Sequence, residues 1–195
     1  MDIKRVCVYC ASSTIIAPVF VDHAIKLANI LADNNIHLVF GGSRTGLMGI
    51  LADQINERGG TTVGIMPKFM KEVEWHHENL TEMIWVDTMA RRKEVMIEDV
   101  DAVITLPGGC GTMEEFMETL SLKRLGLFTK PMIILNSDNF YNPLIDLLEA
   151  MLRENFLGPK HRQMWEVVDK PEDIISAINN STTWDSSAQD FALVD

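Results

Sequence analysis

Positive charge is scarce in this chain. Seventeen Lys and Arg stand against 28 Asp and Glu in 195 residues, a formal net charge of −11. Affinity for nucleic-acid phosphates comes from Lys and Arg, so nonspecific nucleic-acid binding is excluded. There is no basic face to offer a membrane surface either. Any anionic ligand must be held by local dipoles and a few placed cations. Long apolar runs are also missing, and none approaches the roughly 20 residues of a membrane span. A leader with a long apolar stretch is not expected, because the sequence from Arg5 onward is already short and strand-like. Cysteine is limited to Cys7, Cys10 and Cys110. Cys7 and Cys10 form a C-x-x-C, but redox pairs of this kind sit at a helix N-terminus. These two lie on a predicted strand, and their odd separation sends them to opposite faces. They read as buried thiols, and a cytoplasmic location goes with that reading. His76 and His77 are adjacent rather than at metal-ligand spacing, and no metal or cofactor is expected. The dinucleotide pattern G-x-G-x-x-G and the Walker sequence are both absent.

What remains is an ordinary globular composition, 47% apolar and 23% charged. The length suits one domain, expected over 1–180, and the polar composition from Ser181 reads as a tail over 181–195. Short runs rich in β-branched residues predict strands at 5–11, 36–40, 62–66, 81–86, 101–106, 131–135 and 165–168. Helical spacing predicts helices at 18–34, 47–58, 89–98, 112–125 and 171–180. One more should open at Asn142 as cap with Pro143 in first position. The stretch 67–80 has no clear period. Apolar strands alternating with helices imply an α/β domain, a doubly wound parallel sheet with helices on both faces. Such sheets bind ligands beyond the carboxyl ends of their strands, at the switch point. The exits at Ser12-Ser13, Gly41-Gly42 and Pro107-Gly108-Gly109 would share that edge.

The organising stretch is Leu106-Pro107-Gly108-Gly109-Cys110-Gly111-Thr112-Met113-Glu114-Glu115. Three glycines stand between a strand end and a helix start. Glycine tolerates φ > 0 and lets a ligand approach the backbone. The first N–H groups of the helix lack internal partners, and its dipole makes that end positive, a corner that binds phosphate. A tight strand-to-helix turn would explain the glycines alone. It does not explain Glu114 and Glu115, which repel the anion the loop attracts and so point to chemistry beyond the phosphate.

Pro107 to Glu115 resembles the P-G-G-x-G-T-x-x-E signature of the LONELY GUY family, cytokinin riboside 5′-monophosphate phosphoribohydrolases that are often mislabelled lysine decarboxylases. Cys7-Val8-Tyr9-Cys10-Ala11-Ser12-Ser13 is similar to the family's first strand, and Gly41 to Gly49 to its second loop. Met89-Ala90-Arg91-Arg92-Lys93 is similar to M-H-x-R-K, and Leu135-Asn136 and Phe140-Tyr141 also fit. The likeness covers roughly residues 3–180. Three departures stand out: Ala11 replaces a glycine, Ala90 replaces the histidine, and 67–80 matches the plant members poorly. The resemblance implies a Rossmann-like fold, a homodimer and hydrolysis of a nucleoside 5′-monophosphate. It carries the catalytic pair over to Arg92 and Glu115. It implies that Lys93 contacts the nucleotide and that Gly108, Gly109, Gly111, Thr112, Met113 and Glu114 line its phosphate and ribose. Ser12, Gly42 and Ser121 complete the expected substrate contacts.

Glu115, one turn into the helix, would stabilise positive charge on the ribose as the base leaves and activate water there. Arg92 stays protonated, so it orients rather than acts as a base. Without the family it would read as a solvated helix charge. The methionines Met83, Met89, Met96, Met113 and Met117 read as core. No lysine has a context suited to a pyridoxal-phosphate Schiff base. The rival from another class is a binding or carrier module of similar fold, like the molybdenum-cofactor carriers, which would not require Glu115 together with Arg92. On helix 112–125, Met113, Phe116, Met117 and Leu120 should face the sheet. Leu122 and Leu125 should fall on the other side with Glu115 and Glu118. Apolar residues on both sides call for a second cover, most simply another subunit near Glu115. The alternative is a C-terminal segment folded back over Leu122 and Leu125.

Overall fold

The computed structural model describes residues 2–72 and 76–192. Seven parallel strands form one sheet: β1 (Arg5–Tyr9), β2 (His37–Phe40), β3 (Thr62–Pro67), β4 (Glu82–Val86), β5 (Ala102–Thr105), β6 (Met132–Leu135) and β7 (Glu166–Val168), in the order β4-β3-β2-β1-β5-β6-β7. Six α-helices cover it: α1 (Pro18–Asp33), α2 (Gly46–Glu57), α3 (Met89–Ile97), α4 (Cys110–Arg124), α5 (Asn142–Arg153) and α6 (Ile174–Asn180). The strand order reverses at β1, which pairs with β2 on one side and β5 on the other. The two loops that leave this switch point are tied directly, Ala11 N–H donating to the Pro107 carbonyl at 3.2 Å.

The period of two along β1 divides the core. Val6, Val8 and Cys10 face α1, α2 and α6, while Cys7 and Tyr9 face α3, α4 and α5. The two thiols are therefore buried on opposite faces of the sheet, as their spacing predicts. α1 shows the helical logic on the first face: Ala24, Leu27, Ala28 and Leu31 recur at three and four and are all buried.

Three local expectations are corrected. Asn142 is not a cap. It is the first helical residue, and its carboxamide oxygen accepts from Asn136 Nδ2 at 3.0 Å. The last helix starts late, because Pro171–Asp173 forms a 3-10 turn before it. The buried stripe of α4 is the third. Phe116 and Leu120 are buried as expected, but Met113 and Met117 are only half-buried. The stripe is completed by Thr112, Glu115, Thr119 and Lys123. Glu115 thus faces the sheet rather than the outer sector. Each polar member has a local reason. Thr112 and Glu115 line a cavity. The Thr119 hydroxyl donates to the Glu115 carbonyl at 2.9 Å and so accepts from Tyr9 at 2.8 Å.

The polar composition after Ser181 conceals a packed segment. Trp184 is buried, and its indole N–H donates to the Lys123 carbonyl at 2.6 Å. The Arg124 guanidinium grips the Ala192 carbonyl through Nε and Nη2 at 3.1 and 2.6 Å. Within the stretch 67–80, Lys68–Lys71 is a 3-10 turn and His76 bridges to Ser43; positions 73–75 lie outside the described residues. No helix of the described residues is long and apolar enough to cross a membrane.

Two measurements probe the end of α4. Trp184→Ala should cost about 3 kcal/mol, the usual loss for a large buried aromatic, in urea unfolding; an unaltered midpoint would mean that the segment only leans on the body. The second concerns Lys123, whose ammonium is buried and donates to the Lys130 carbonyl at 2.6 Å. Burial lowers its pKa to about 8. The unfolded amine titrates near about 10.4, so between these values the unfolded state binds more protons and this group favours folding increasingly as pH rises. Cys7 and Tyr9, both raised by burial, pull the other way. The comparison with Lys123→Met isolates the lysine: the stability gap should move toward the wild type from pH 7.5 to pH 9.5. A gap independent of pH would refute it.

Candidate active site at the sheet switch point

The loops after β1, β2 and β5 meet over the carboxyl edge of the sheet and enclose a cavity of about 350 Å³. Each strand end delivers one wall. β1 supplies Ala11, Ser12 and Ser13, β2 supplies Gly41, and β5 leads into Gly109, Cys110, Gly111 and Thr112. Helices complete it with Glu115 from α4 and with Met89 and Arg92 from α3. Met48 and Met70 close the remaining side.

The glycines of the β5–α4 loop do different jobs, and none of the three has a positive φ. A Cβ on Gly109 or Gly111 would meet no protein atom, so their bareness leaves room on the cavity side. A Cβ on Gly108 would lie 2.1 Å from Thr112 Oγ1, so this glycine lets the threonine tuck beneath the loop. The first intrahelical bond of α4 runs from Met113 N–H to the Gly109 carbonyl at 3.0 Å. The N–H groups of Cys110, Gly111 and Thr112 precede it, at the positive end of the helix dipole.

Arg92 is 7% exposed and Glu115 is 8% exposed. Arg92 Nη1 lies 3.6 Å from Glu115 Oε1, an ion pair inside the cavity wall. The guanidinium is aimed by the sheet: Nε donates to the Ile65 carbonyl at 3.1 Å and Nη2 to the Gly41 carbonyl at 3.3 Å. A Cβ on Gly41 would stand 2.1 Å from Nη2, so only glycine leaves the guanidinium its place. Glu115 acts on its neighbours in turn. The thiols of Cys7 and Cys10 are pushed up, first by burial and then by the charge of this carboxylate.

Of the residues expected from sequence, Ser12, Arg92, Gly109, Gly111, Thr112 and Glu115 come together on the cavity. The others do not line it. Gly42 turns the β2 loop at φ +79° behind the wall, against Met83. Lys93 Nζ lies between Glu114 Oε1 at 2.6 Å and Glu118 Oε2 at 2.5 Å, beside a separate groove. Glu114 is therefore turned outward, Met113 is half-buried, and the Ser121 hydroxyl donates to the Met117 carbonyl at 2.8 Å. Sequence reasoning missed Gly41, whose neighbour was chosen instead, and the methionine wall. Met89, expected in the core, lines the cavity, as do Met48 and Met70. The position of Met89 immediately before the arginine motif was the available signal. Met70 had none, since it falls in the stretch without a period. Among the described residues no group of three His, Cys, Asp or Glu side chains gathers as metal ligands.

The switch-point cavity, the bare glycine loop and the buried acid–guanidinium pair give this Rossmann-like domain a polar ligand site at the point where strand order reverses. A family model described as "Possible lysine decarboxylase" matches residues 48–178. The chain belongs to that family, within the group of cytokinin riboside 5′-monophosphate phosphoribohydrolases (LONELY GUY). It is 35% identical to the cytokinin riboside 5′-monophosphate phosphoribohydrolase LOG2 of Arabidopsis thaliana, over 97% of this chain and 94% of that protein. It is 38% identical to the cytokinin riboside 5′-monophosphate phosphoribohydrolase of Rhodococcoides fascians, over 91% and 90%. Among solved structures it is similar to the molybdenum cofactor binding protein of Rippkaea orientalis, with a TM-score of 0.69, 22% identity and coverage of 92% and 97%. The molybdenum cofactor carrier protein of Chlamydomonas reinhardtii has a TM-score of 0.68 at 19% identity, with coverage of 90% and 96%. These two share the fold.

Cys110 is exposed at the cavity mouth, whereas Cys7 and Cys10 are buried. Iodoacetamide under native conditions should modify Cys110 alone, read by peptide mass spectrometry. Equal labelling of all three thiols would contradict the packing of β1.

Proposed function

We propose that this cavity hydrolyses the N-glycosidic bond of a purine riboside 5′-monophosphate to the free base and ribose 5-phosphate. The observation that carries the reading is the buried Arg92–Glu115 pair, 3.6 Å apart beside a loop whose glycines leave room on the cavity side. The 5′-phosphate takes the free N–H groups at the start of α4, with Ser12 and Thr112 as hydroxyl partners. The anomeric carbon then lies a sugar's length away, over Glu115. As the bond from C1′ to the base nitrogen breaks, its electron pair leaves with the base and C1′ becomes cationic. The Glu115 carboxylate stabilises that charge and takes a proton from the attacking water, whose oxygen bonds to C1′. The departing base takes a proton from solvent and Glu115 returns its proton to solvent, so the net reaction consumes one water and leaves the carboxylate as it began. Arg92 pairs with the carboxylate and orients it. Met48, Met70 and Met89 give the purine a polarizable apolar wall that adapts to its substituents.

The names of the relatives support this reading, and so does the chemistry of the pair. A carrier of the kind seen among the fold neighbours needs no buried carboxylate at the centre of its cavity. We also propose a homodimer through α4 and the turn that follows it, where Leu125 and Leu127 are 46% and 66% exposed. The segment after Ser181 covers only the end of that helix, as an accessory to one hydrolase unit over 1–180. The free thiols suit a cytoplasmic location.

Incubation with AMP and with an N6-substituted riboside monophosphate should release free base and ribose 5-phosphate, separated by chromatography. Glu115→Gln should retain the nucleotide but lose about 10³ in turnover, the scale of a central electrostatic and acid–base group. Arg92→Ala should lose about 10². Turnover close to wild type in Glu115→Gln would end the assignment.

A further inference from the structure

The β5–α4 corner poses an electrostatic problem. The chain carries a net charge of −11, and an anion is to bind at the start of a helix that holds no acid in its first turn but carries Glu114, Glu115 and Glu118 in the two turns that follow. Carboxylates that close oppose an anion at the helix start. Among the described residues that line the cavity, Arg92 and Glu115 are the charged pair, and they face each other. Nothing in that wall offsets Glu114 and Glu118.

The offset comes from outside the wall. Lys93 follows Arg92 on α3, about 100° around the helix, and so points along α4 while Arg92 points into the cavity. Its Nζ sits 2.6 Å from Glu114 Oε1 and 2.5 Å from Glu118 Oε2. Glu114 and Glu118 are one helical turn apart, which lets a single ammonium bridge both. The Lys93 side chain is 15% exposed, much less than either carboxylate. The two acids also raise its pKa, so it stays charged through the neutral range.

We propose that Lys93 serves phosphate binding without touching the phosphate, by compensating Glu114 and Glu118 beside the α4 N-terminus. The inference rests on reading the cavity as a monophosphate site. It assigns Lys93 a role different from the direct nucleotide contact that the family resemblance implies. With Lys93 present the cluster carries a charge of −1; without it the cluster carries −2. The effect is electrostatic and fades in salt.

The test is a charge series, titrated with inorganic phosphate and with AMP by calorimetry at low ionic strength, with adenosine as the uncharged control. Lys93→Met should weaken phosphate and AMP binding by about fivefold, the scale of two partly exposed ion pairs, and leave adenosine unchanged. The triple variant Lys93→Met/Glu114→Gln/Glu118→Gln should bind at least as tightly as wild type. Glu114→Gln/Glu118→Gln with Lys93 in place should bind most tightly and serves as a second variant should Lys93→Met fold poorly. The spread should shrink at high salt. A triple variant as weak as Lys93→Met would mean that Lys93 touches the ligand, and would overturn the proposal. An unchanged affinity in Lys93→Met, or in the double glutamine variant, would overturn it too. A wild type that binds phosphate but releases no base from AMP would sink the hydrolase reading, while the phosphate titration would still decide the role of Lys93. A wild type that binds neither would sink both.

Discussion

A carboxylate and a guanidinium buried together constrain everything around them. Desolvating either charge alone is expensive, so each must be paired and fixed. Here Arg92 meets Glu115 and two backbone carbonyls, one at the exit of β2 and one on β3. β2 ends at Phe40 while β3 runs on to Pro67, past the β2–β3 register, which leaves these carbonyls open to the guanidinium; Gly41 must lack a side chain to admit it. The pair thus ties α3 and α4 to the edge of the sheet at the point where strand order reverses. The cavity opens at that point, beside the first N–H groups of α4. A charged pair is tolerable there because each partner meets polar groups at the cavity wall.

The fold was legible because β1, β2, β5 and β6 are nearly pure apolar runs, bounded by glycine, proline and serine. Burial on both faces removes any need for alternation, so such runs announce a parallel sheet. The β5–α4 loop was legible for a related reason, since three glycines before a helix have few structural explanations. What escaped was the orientation of α4. Period alone assigns its apolar residues to the core, yet four of its six buried residues are Thr112, Glu115, Thr119 and Lys123. Period reads hydrophobicity, and a helix that carries a site on its inner face breaks the link between the two. Gly41 escaped because a guanidinium from a helix some 50 positions onward occupies the space its side chain would need, and no local pattern records that. The methionine wall escaped because methionine is equally at home in a core.

The same helix explains why a polar C-terminal stretch is packed. α4 ends in Lys123 and Arg124, cations where the dipole is negative. Lys123 is buried over the Trp184 ring, 6.0 Å from its centroid, and its carbonyl accepts the indole N–H. Arg124 reaches the Ala192 carbonyl. The segment therefore satisfies helix-end groups and shields a buried amine, and it does so through Trp184 and the Ala192 carbonyl. Composition alone makes such a stretch look like a tail, because its value lies in a few anchors rather than in average hydropathy.

These two ends belong to one rigid body. A helix transmits a displacement at one end to the other, because its turns are hydrogen-bonded in series and Phe116 and Leu120 lock its middle into the core. Glu115 is placed by the backbone of α4, and its carbonyl is held by Thr119, which Tyr9 of β1 holds in turn. The carboxylate is consequently referenced twice to the sheet, once through Arg92 and once through Tyr9. Both routes end on strands beside the switch point, so the place of the carboxylate against the start of α4 is set by the sheet and not by the surrounding loops.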